Sequence, residues 1–305
     1  MMEIIPRHVN IPFVKIRGYG FVVSAVLLLL GLFALVQIMR GEAKMGVDFA
    51  GGTSAEVEFV RDVSSEELRD ALKDEAFRDV SQQAIREPGR HKYMLRIFAP
   101  SLPTERVSSK VIEVLQTNLP DAGVTLLSSE DVGPSVSAHL REQAFMAIFW
   151  AMVGILIYVW WRFDFRFSVA ATVTTVHDIL AVLGLLFLLG QEVNLLMVTA
   201  LLTIGGYSLN DTVVVFDRIR ENLRLSRKEP YDGLVNRSVN EILSRTLITS
   251  FSTLLVVGCL YALGGEVIHA FALAMLIGIA VGTFSSIFTA SNLMVEWHAR
   301  APLPR

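Results

Sequence analysis

The sequence predicts an α-helical polytopic membrane protein with six transmembrane helices and one ferredoxin-like α+β domain between helices 1 and 2. Three observations carry that expectation. Mean hydropathy is +0.50 and 52% of the 305 residues are hydrophobic, gathered in runs long enough to cross a hydrocarbon core. Basic residues cluster between alternate runs, as in cytoplasmic segments. One polar stretch of about 100 residues, enough for a small core of its own, separates the first run from the rest.

Residues 1–18 read as a short cytoplasmic N-terminus with Arg7, His8, Lys15 and Arg17. Residues 19–39 are the first span. Gly41-Glu42-Ala43 imitates a signal-cleavage site, but the apolar run is too long and more spans follow, so the segment reads as an uncleaved anchor. Residues 40–140 form the extramembrane domain. Ser54–Val60 alternates like a half-buried strand, and Ser64 with Glu67 makes a capping box ahead of a helix. Val80–Arg86 and Lys92–Ala99 read as strands around a Pro88-Gly89 turn. Thr104 is expected to cap a second helix, with Val107, Val111, Val114 and Leu115 on one face, and Gly123–Ser129 closes the set as a strand. The order β-α-β-β-α-β is that of a ferredoxin-like unit. Gly51 and Gly52, where the chain leaves the membrane, read either as a tight turn or as a hinge.

Residues 141–297 hold spans two to six. Trp160, Trp161 and Arg162 close span two at an interface. Span three is Ser168–Leu189 and span four runs from Val193 to about Asp217. A basic cytoplasmic segment at 218–243 follows. Its Leu234, Val235, Val239, Ile242 and Leu243 suggest an amphipathic helix lying on the membrane surface. Span five is about Ser244–Leu263, span six is Ile268–Trp297, and 298–305 is a cytoplasmic tail.

Several classes of function are excluded. Net charge is −3, with no basic bias toward nucleic acid. The single Cys259 cannot form an internal disulfide, and no Cys/His spacing suits a metal. There is no GxxxxGK[ST] nucleotide loop and no GxSxG nucleophile elbow, so neither a cofactor nor an enzyme is expected. Energy must come from a partner or an ion gradient.

The informative residues are polar ones inside the spans. Thr199, Thr203, Gly206 and Asn210 share one face of span four, and Asp211 sits about 100° round from them. Asp211 lies about 10 Å inside the cytoplasmic boundary. A charge there costs about 2.5–3.5 kcal/mol on the insertion scale, so the residue is expected to pair or to function. Arg245, Thr249, Ser252 and Thr253 form a stripe on span five at matching depth. Asp211 is thus either half of a static ion pair with Arg245 or a carboxylate that titrates, and Arg245 either joins it or snorkels to the interface. His177-Asp178, mid-span three, is either a proton relay or a hydrogen-bonded packing pair. Gly278, Gly282 and Ser286 give span six a small-residue face.

These residues resemble a known family. GYSLNDTVVVFDRIREN at Gly206–Asn222 is similar to the signature of SecF, the membrane subunit of bacterial Sec protein export in the SecD/SecF family. VDFAGGT at Val47–Thr53, DVGP at Asp131–Pro134, His177-Asp178 and SRTLITS at Ser244–Ser250 sit where that family has its motifs. The resemblance covers nearly the whole chain. It implies kinship with RND-type proton-driven transporters and a multi-pass protein of the bacterial inner membrane with both termini cytoplasmic. It also implies a heteromeric complex with SecD beside the SecYEG channel, with YajC as a further candidate partner, lipid around it and a translocating polypeptide as substrate. Export would draw on the proton-motive force. Asp211 then matches the family's essential membrane carboxylate and Arg245 its associated arginine; Asn210, His177, Asp178, Thr249 and Ser252 support them. The larger substrate-handling domain belongs to SecD. The rival readings are a proton-driven half-transporter for a small molecule or lipid, an intramembrane hydrolase lacking a nucleophile, and a purely structural subunit that would tolerate a neutral residue at 211.

Overall fold

The computed structural model describes residues 10–301, apart from 75, 76, 78, 88, 100–102 and 227–228. Arg7, His8, Pro88, Arg227, Lys228 and the end of the tail therefore lie outside the described residues. The chain divides into two compact units: Met1–Lys44 with Met146–Glu192 and Leu196–Arg305, and Met45–Phe145 with Val193–Leu195.

The second unit begins with a short turn of helix, α2 (Val47–Ala50), followed by β1 (Gly52–Phe59), α3 (Ser65–Ala71), β2 (Asp79–Glu87), β3 (Arg90–Phe98), α4 (Thr104–Asn118) and β4 (Val124–Val132). The four strands make one antiparallel sheet in the order β2-β3-β1-β4. Strand β1 buries alternate residues, Thr53, Ala55, Val57 and Phe59, as a strand covered on one face must. Val107, Val111, Val114 and Leu115 of α4 pack on that face with Leu68 of α3. Ser64 accepts the Glu67 amide at 3.1 Å. The Glu67 carboxylate turns away from the reciprocal half of a capping box and pairs with Arg61. Thr104 is the first helical residue rather than the cap; Pro103 holds the cap position.

Among the described residues, six helices are long and apolar enough to cross a membrane. They lie in α1 (Arg17–Arg40), α5 (Pro134–Arg162), α6 (Phe165–Leu188), α7 (Leu195–Leu225), α8 (Tyr231–Leu263) and the last helical run, composed of α9 (Gly265–Ser285), a π turn (Ser286–Ala290) and α10 (Ser291–Arg300). The chain is a multi-pass membrane protein. The most apolar stretches of α6, α7 and the last run are 61%, 56% and 56% buried within the chain, against 17%, 11% and 17% for α1, α5 and α8. The first three are the centre of the bundle, and the other three turn most of their surface outward.

Two seams bring helix backbones close. At the α1–α6 seam, a Cβ on Gly184 would lie 2.6 Å from the Gly31 nitrogen, and one on Gly31 would strike the Leu180 carbonyl. At the α7–α9 seam, a Cβ on Gly278 would strike Ile204 and one on Gly282 would lie 3.1 Å from Ser208 Cβ. Small residues at these places allow the close approach on which helix association in lipid depends.

One expectation needs correcting, and one span departs from regular helix. The segment 218–243 is no separate surface helix. Residues 231–263 form one continuous helix, because nothing between Leu243 and Ser244 breaks it. Leu234, Val235, Val239, Ile242 and Leu243 are buried against Val215, Phe216 and Ile219 of α7, which continues well past Asp217. The amphipathic pattern faces protein instead of lipid. The sixth span is not a regular helix either. Ser286 donates to the Thr283 carbonyl at 3.0 Å and Ser291 donates to the Ile287 carbonyl, and such bonds from hydroxyl to backbone accompany the local widening.

Gly184→Ala should lower the thermal midpoint of the detergent-solubilised protein, by overpacking worth about 1–3 kcal/mol. Gly154→Ala is the control, since a Cβ there meets nothing within 4 Å, and its midpoint should hold or rise.

Candidate functional site: a polar interior of the bundle

Helix α7 carries two opposite faces. Thr199, Thr203, Gly206 and Asn210 are exposed on the chain's surface. Asp211, one residue and about 100° further round, turns inward and is 4% exposed. Its Oδ2 is buried and accepts no hydrogen bond among the described residues; the same holds for the hydroxyls of Tyr207 and Thr212. The groups that face Asp211 are the Ser250 hydroxyl and, at longer range, the Arg245 guanidinium. Ser250 Oγ is itself 2.7 Å from Thr283 Oγ1, which ties α8 to α9.

The expected stripe on α8 is displaced by one residue. Thr246 and Ser250 are the buried pair, while Arg245, Thr249 and Ser252 are exposed. One residue of helix is a 100° turn, so the side that meets α7 is Thr246–Ser250 and Arg245 projects past it. No ion pair within 4.0 Å joins Arg245 to Asp211 among the described residues, so the static-pair reading is not what the structure holds. The Thr249 hydroxyl donates to the carbonyls of Arg245 and Thr246 at 3.1 and 2.9 Å, and Ser252 donates to Thr249 O at 2.9 Å; these bonds stay within α8.

His177 and Asp178 form a second polar centre, fully enclosed. Nδ1 of His177 is 2.9 Å from Asp178 Oδ1, and Nε2 is 3.2 Å from the backbone carbonyl of Ser24 in α1. Asp178 Oδ2 accepts from Ser285 of α9 at 2.6 Å and from Ser208 of α7. Ser24 Oγ is 2.7 Å from Thr289 Oγ1 in the π turn. Sequence reasoning missed Ser24 and Ser208. The available signal for Ser208 was its offset of four residues from Ile204 and three from Asp211, which sets it on the buried side. Gly51 and Gly52 lie within the second unit at φ +77° and +121°, where a Cβ on Gly52 would lie 2.7 Å from the Ile97 carbonyl; only glycine suits that entry into β1.

A bundle of six apolar helices enclosing an unpaired carboxylate and a carboxylate–imidazole pair, joined to a small α/β unit, defines a polytopic membrane protein with an ionisable interior. The family model described as "Protein export membrane protein SecD/SecF, C-terminal" matches residues 111–300. The protein translocase subunit SecF of Thermodesulfovibrio yellowstonii is 42% identical over 297 residues, 97% of each chain. The protein translocase subunit SecDF of Thermus thermophilus is 40% identical over 288 residues, 92% of this chain and 38% of that one. The crystal structure of SecDF from Thermus thermophilus superposes with a TM-score of 0.84 at 38% identity, covering 97% of this chain and 40% of that chain. The chain belongs to the SecD/SecF family, among its SecF members.

The two carboxylates should answer truncation differently. Asp178→Ala strands three hydrogen-bonding partners and should cost about 3–5 kcal/mol in unfolding of the purified protein. Asp211→Asn should stay within about 1 kcal/mol of the parent, because its amide oxygen can still accept from Ser250 and the Oδ2 it replaces has no partner among the described residues.

Proposed function

We propose that this protein is an accessory subunit of the bacterial Sec protein translocase which, with SecD, uses the proton-motive force to promote protein export across the inner membrane. The observation that carries the reading is Asp211: a buried membrane carboxylate with one oxygen unbonded, facing a hydroxyl and, further off, an arginine. A buried polar atom left without a partner costs free energy, so an interior of this kind persists where function requires it. Asp211 takes up a proton and releases it, and Arg245 senses that change at longer range. One elementary charge crossing about 100 mV yields about 2.3 kcal/mol, enough to bias two conformations of the bundle.

Family membership supports the export role, and the single SecDF chain of Thermus thermophilus supports SecD as the partner. The exposed polar faces of α7 and α8, with Asn210 on one and Arg245, Thr249 and Ser252 on the other, are surfaces a neighbouring membrane helix would cover, since such groups are costly against lipid. SecYEG, the polypeptide in transit and, as a lesser partner, YajC complete the assembly. The βαββαβ order and the β2-β3-β1-β4 sheet support reading 40–140 as a ferredoxin-like domain on the periplasmic side, with both termini cytoplasmic.

The test is export of a slow presecretory protein in a strain lacking this gene. Asp211→Asn, expressed and assembled with SecD at the parental level, should stall export as the deletion does; normal export would remove the proton carrier from position 211. Arg245→Lys should retain part of the activity and Arg245→Ala little.

A further inference from the structure

The hydrogen bonds around His177 fix how many protons the pair with Asp178 holds. A carbonyl oxygen only accepts, so Nε2, 3.2 Å from Ser24 O, must carry a hydrogen. Nδ1 and Asp178 Oδ1 are 2.9 Å apart. If Nδ1 were bare and the carboxylate ionised, two lone pairs would face each other there. The contact therefore contains a second proton, held by the ring as imidazolium or by Asp178 as the acid. The other oxygen, Oδ2, accepts from Ser208 and Ser285. Either placement gives two protons and no net charge, which a site this deeply buried favours.

We propose that His177 and Asp178 form a second proton-holding site, separate from Asp211, which locks α1 onto the α6–α7–α9 centre while its proton is in place. Loss of that proton leaves one hydrogen for two acceptors, the carboxylate and the Ser24 carbonyl. The ring then donates from Nδ1 to the ionised Asp178, and Nε2 becomes an acceptor facing a carbonyl. That repulsion opens the bond to α1. Ser24 and His177 each lie seven residues before the glycine of the α1–α6 seam, Gly31 and Gly184 respectively. The bond therefore sits two turns from the close contact along one line of helix packing. Thr289 holds the same serine from the other side.

The neighbouring elements add no counter-charge. Ser208 of α7, Ser285 of α9 and Ser24 of α1 are neutral, and His177 is the only charged neighbour of Asp178 among the described residues. Other ionisable residues of the packed helices lie towards the helix ends in the sequence: Arg17 and Arg40 at the ends of α1, Arg166 in the first turn of α6, His269 near the start of α9, and Glu296, His298 and Arg300 in α10. Along α7 the nearest are Tyr207, beside Ser208, and Asp211, about one turn beyond it.

The test uses the full chain in lipid nanodiscs and needs no transport. In nitrogen NMR at neutral pH, the imidazole signal that vanishes in His177→Gln should show both nitrogens protonated, or one N–H together with an Asp178 carboxylic-acid band in the infrared. A neutral ring beside an ionised carboxylate overturns the proposal. Asp178→Asn keeps the bonds, with its oxygen accepting from the serines and its amide donating to Nδ1, and has no proton to lose. Hydrogen exchange of the α1 amides around Ser24, corrected for intrinsic rates, should rise several-fold from neutral to mildly alkaline pH in the parent and stay flat in Asp178→Asn. Equal behaviour of the two chains overturns the lock. Asp211→Asn should leave both readouts unchanged, so this proposal and the one at Asp211 fail separately.

Discussion

A carboxylate inside a membrane bundle must be met by donors from the helices around it, and Asp178 is met on both oxygens. It receives Ser208 from α7, Ser285 from α9 and His177 from its own helix, and His177 reaches α1. Four helices thus share one polar point. Apolar packing alone orients helices weakly in lipid, where the surroundings are as apolar as the side chains. Hydrogen bonds to a buried charge or acid are directional, so this point specifies rotation and depth together. The glycine seams follow from it: Gly31 against Gly184 and Gly282 against Ser208 allow the close approach that those bonds require.

Asp211 shows the opposite condition on the same helix. It lies three residues beyond Ser208, buried but less deeply, with Oδ2 unbonded and Ser250 engaged with Thr283. The ladder of contacts from Asp178 through Ser208 holds α7 in place and does not extend to Asp211. Asp211 can change its charge without loosening the contact that joins these four helices, whereas loss of the proton at His177 and Asp178 opens the bond to α1. The rigid centre and the unsatisfied carboxylate are complementary requirements of one helix.

Much of this was legible in the sequence because its signals were periodic. Apolar runs of the right length marked six spans, strict alternation in Ser54–Val60 marked β1, and the small-xxx-small spacing of Gly278 and Gly282 marked the face of α9 that packs closely, though not its partner. The 100° offset put Asp211 on a different face from Asn210, and the packed bundle shows that face to be the buried one. Partner choice was less legible, since it depends on which side of a helix faces which neighbour. On α8, Arg245-Thr249-Ser252 and Thr246-Ser250 are equally periodic stripes, and only the packed bundle selects the second. Likewise Leu234–Leu243 has the pattern of a surface helix, but the extension of α7 past Asp217 supplies a protein surface to cover it. The role of Ser24 was invisible, because His177 binds its backbone carbonyl and no side-chain pattern announces a carbonyl.

The end of the bundle where α7 leads into α8 carries the same logic to its partly exposed surface. Arg237 bridges Glu229 and Glu241, Arg218 reaches Glu241, and Asn222 donates to Glu241 and Ser238. Asn236 and Asn240 bind the backbone of residues 11 and 14, fixing the segment in which Phe13 and Val14 are buried. These ion pairs are partly exposed and each contributes little; their number and the amide clamps on the entering chain hold the ends of α7 and α8 together. The ends are tied and the centre is pinned at Asp178. The freedom that remains in α7 and α8 therefore lies along the stretch between, where Asp211, Ser250 and Arg245 stand.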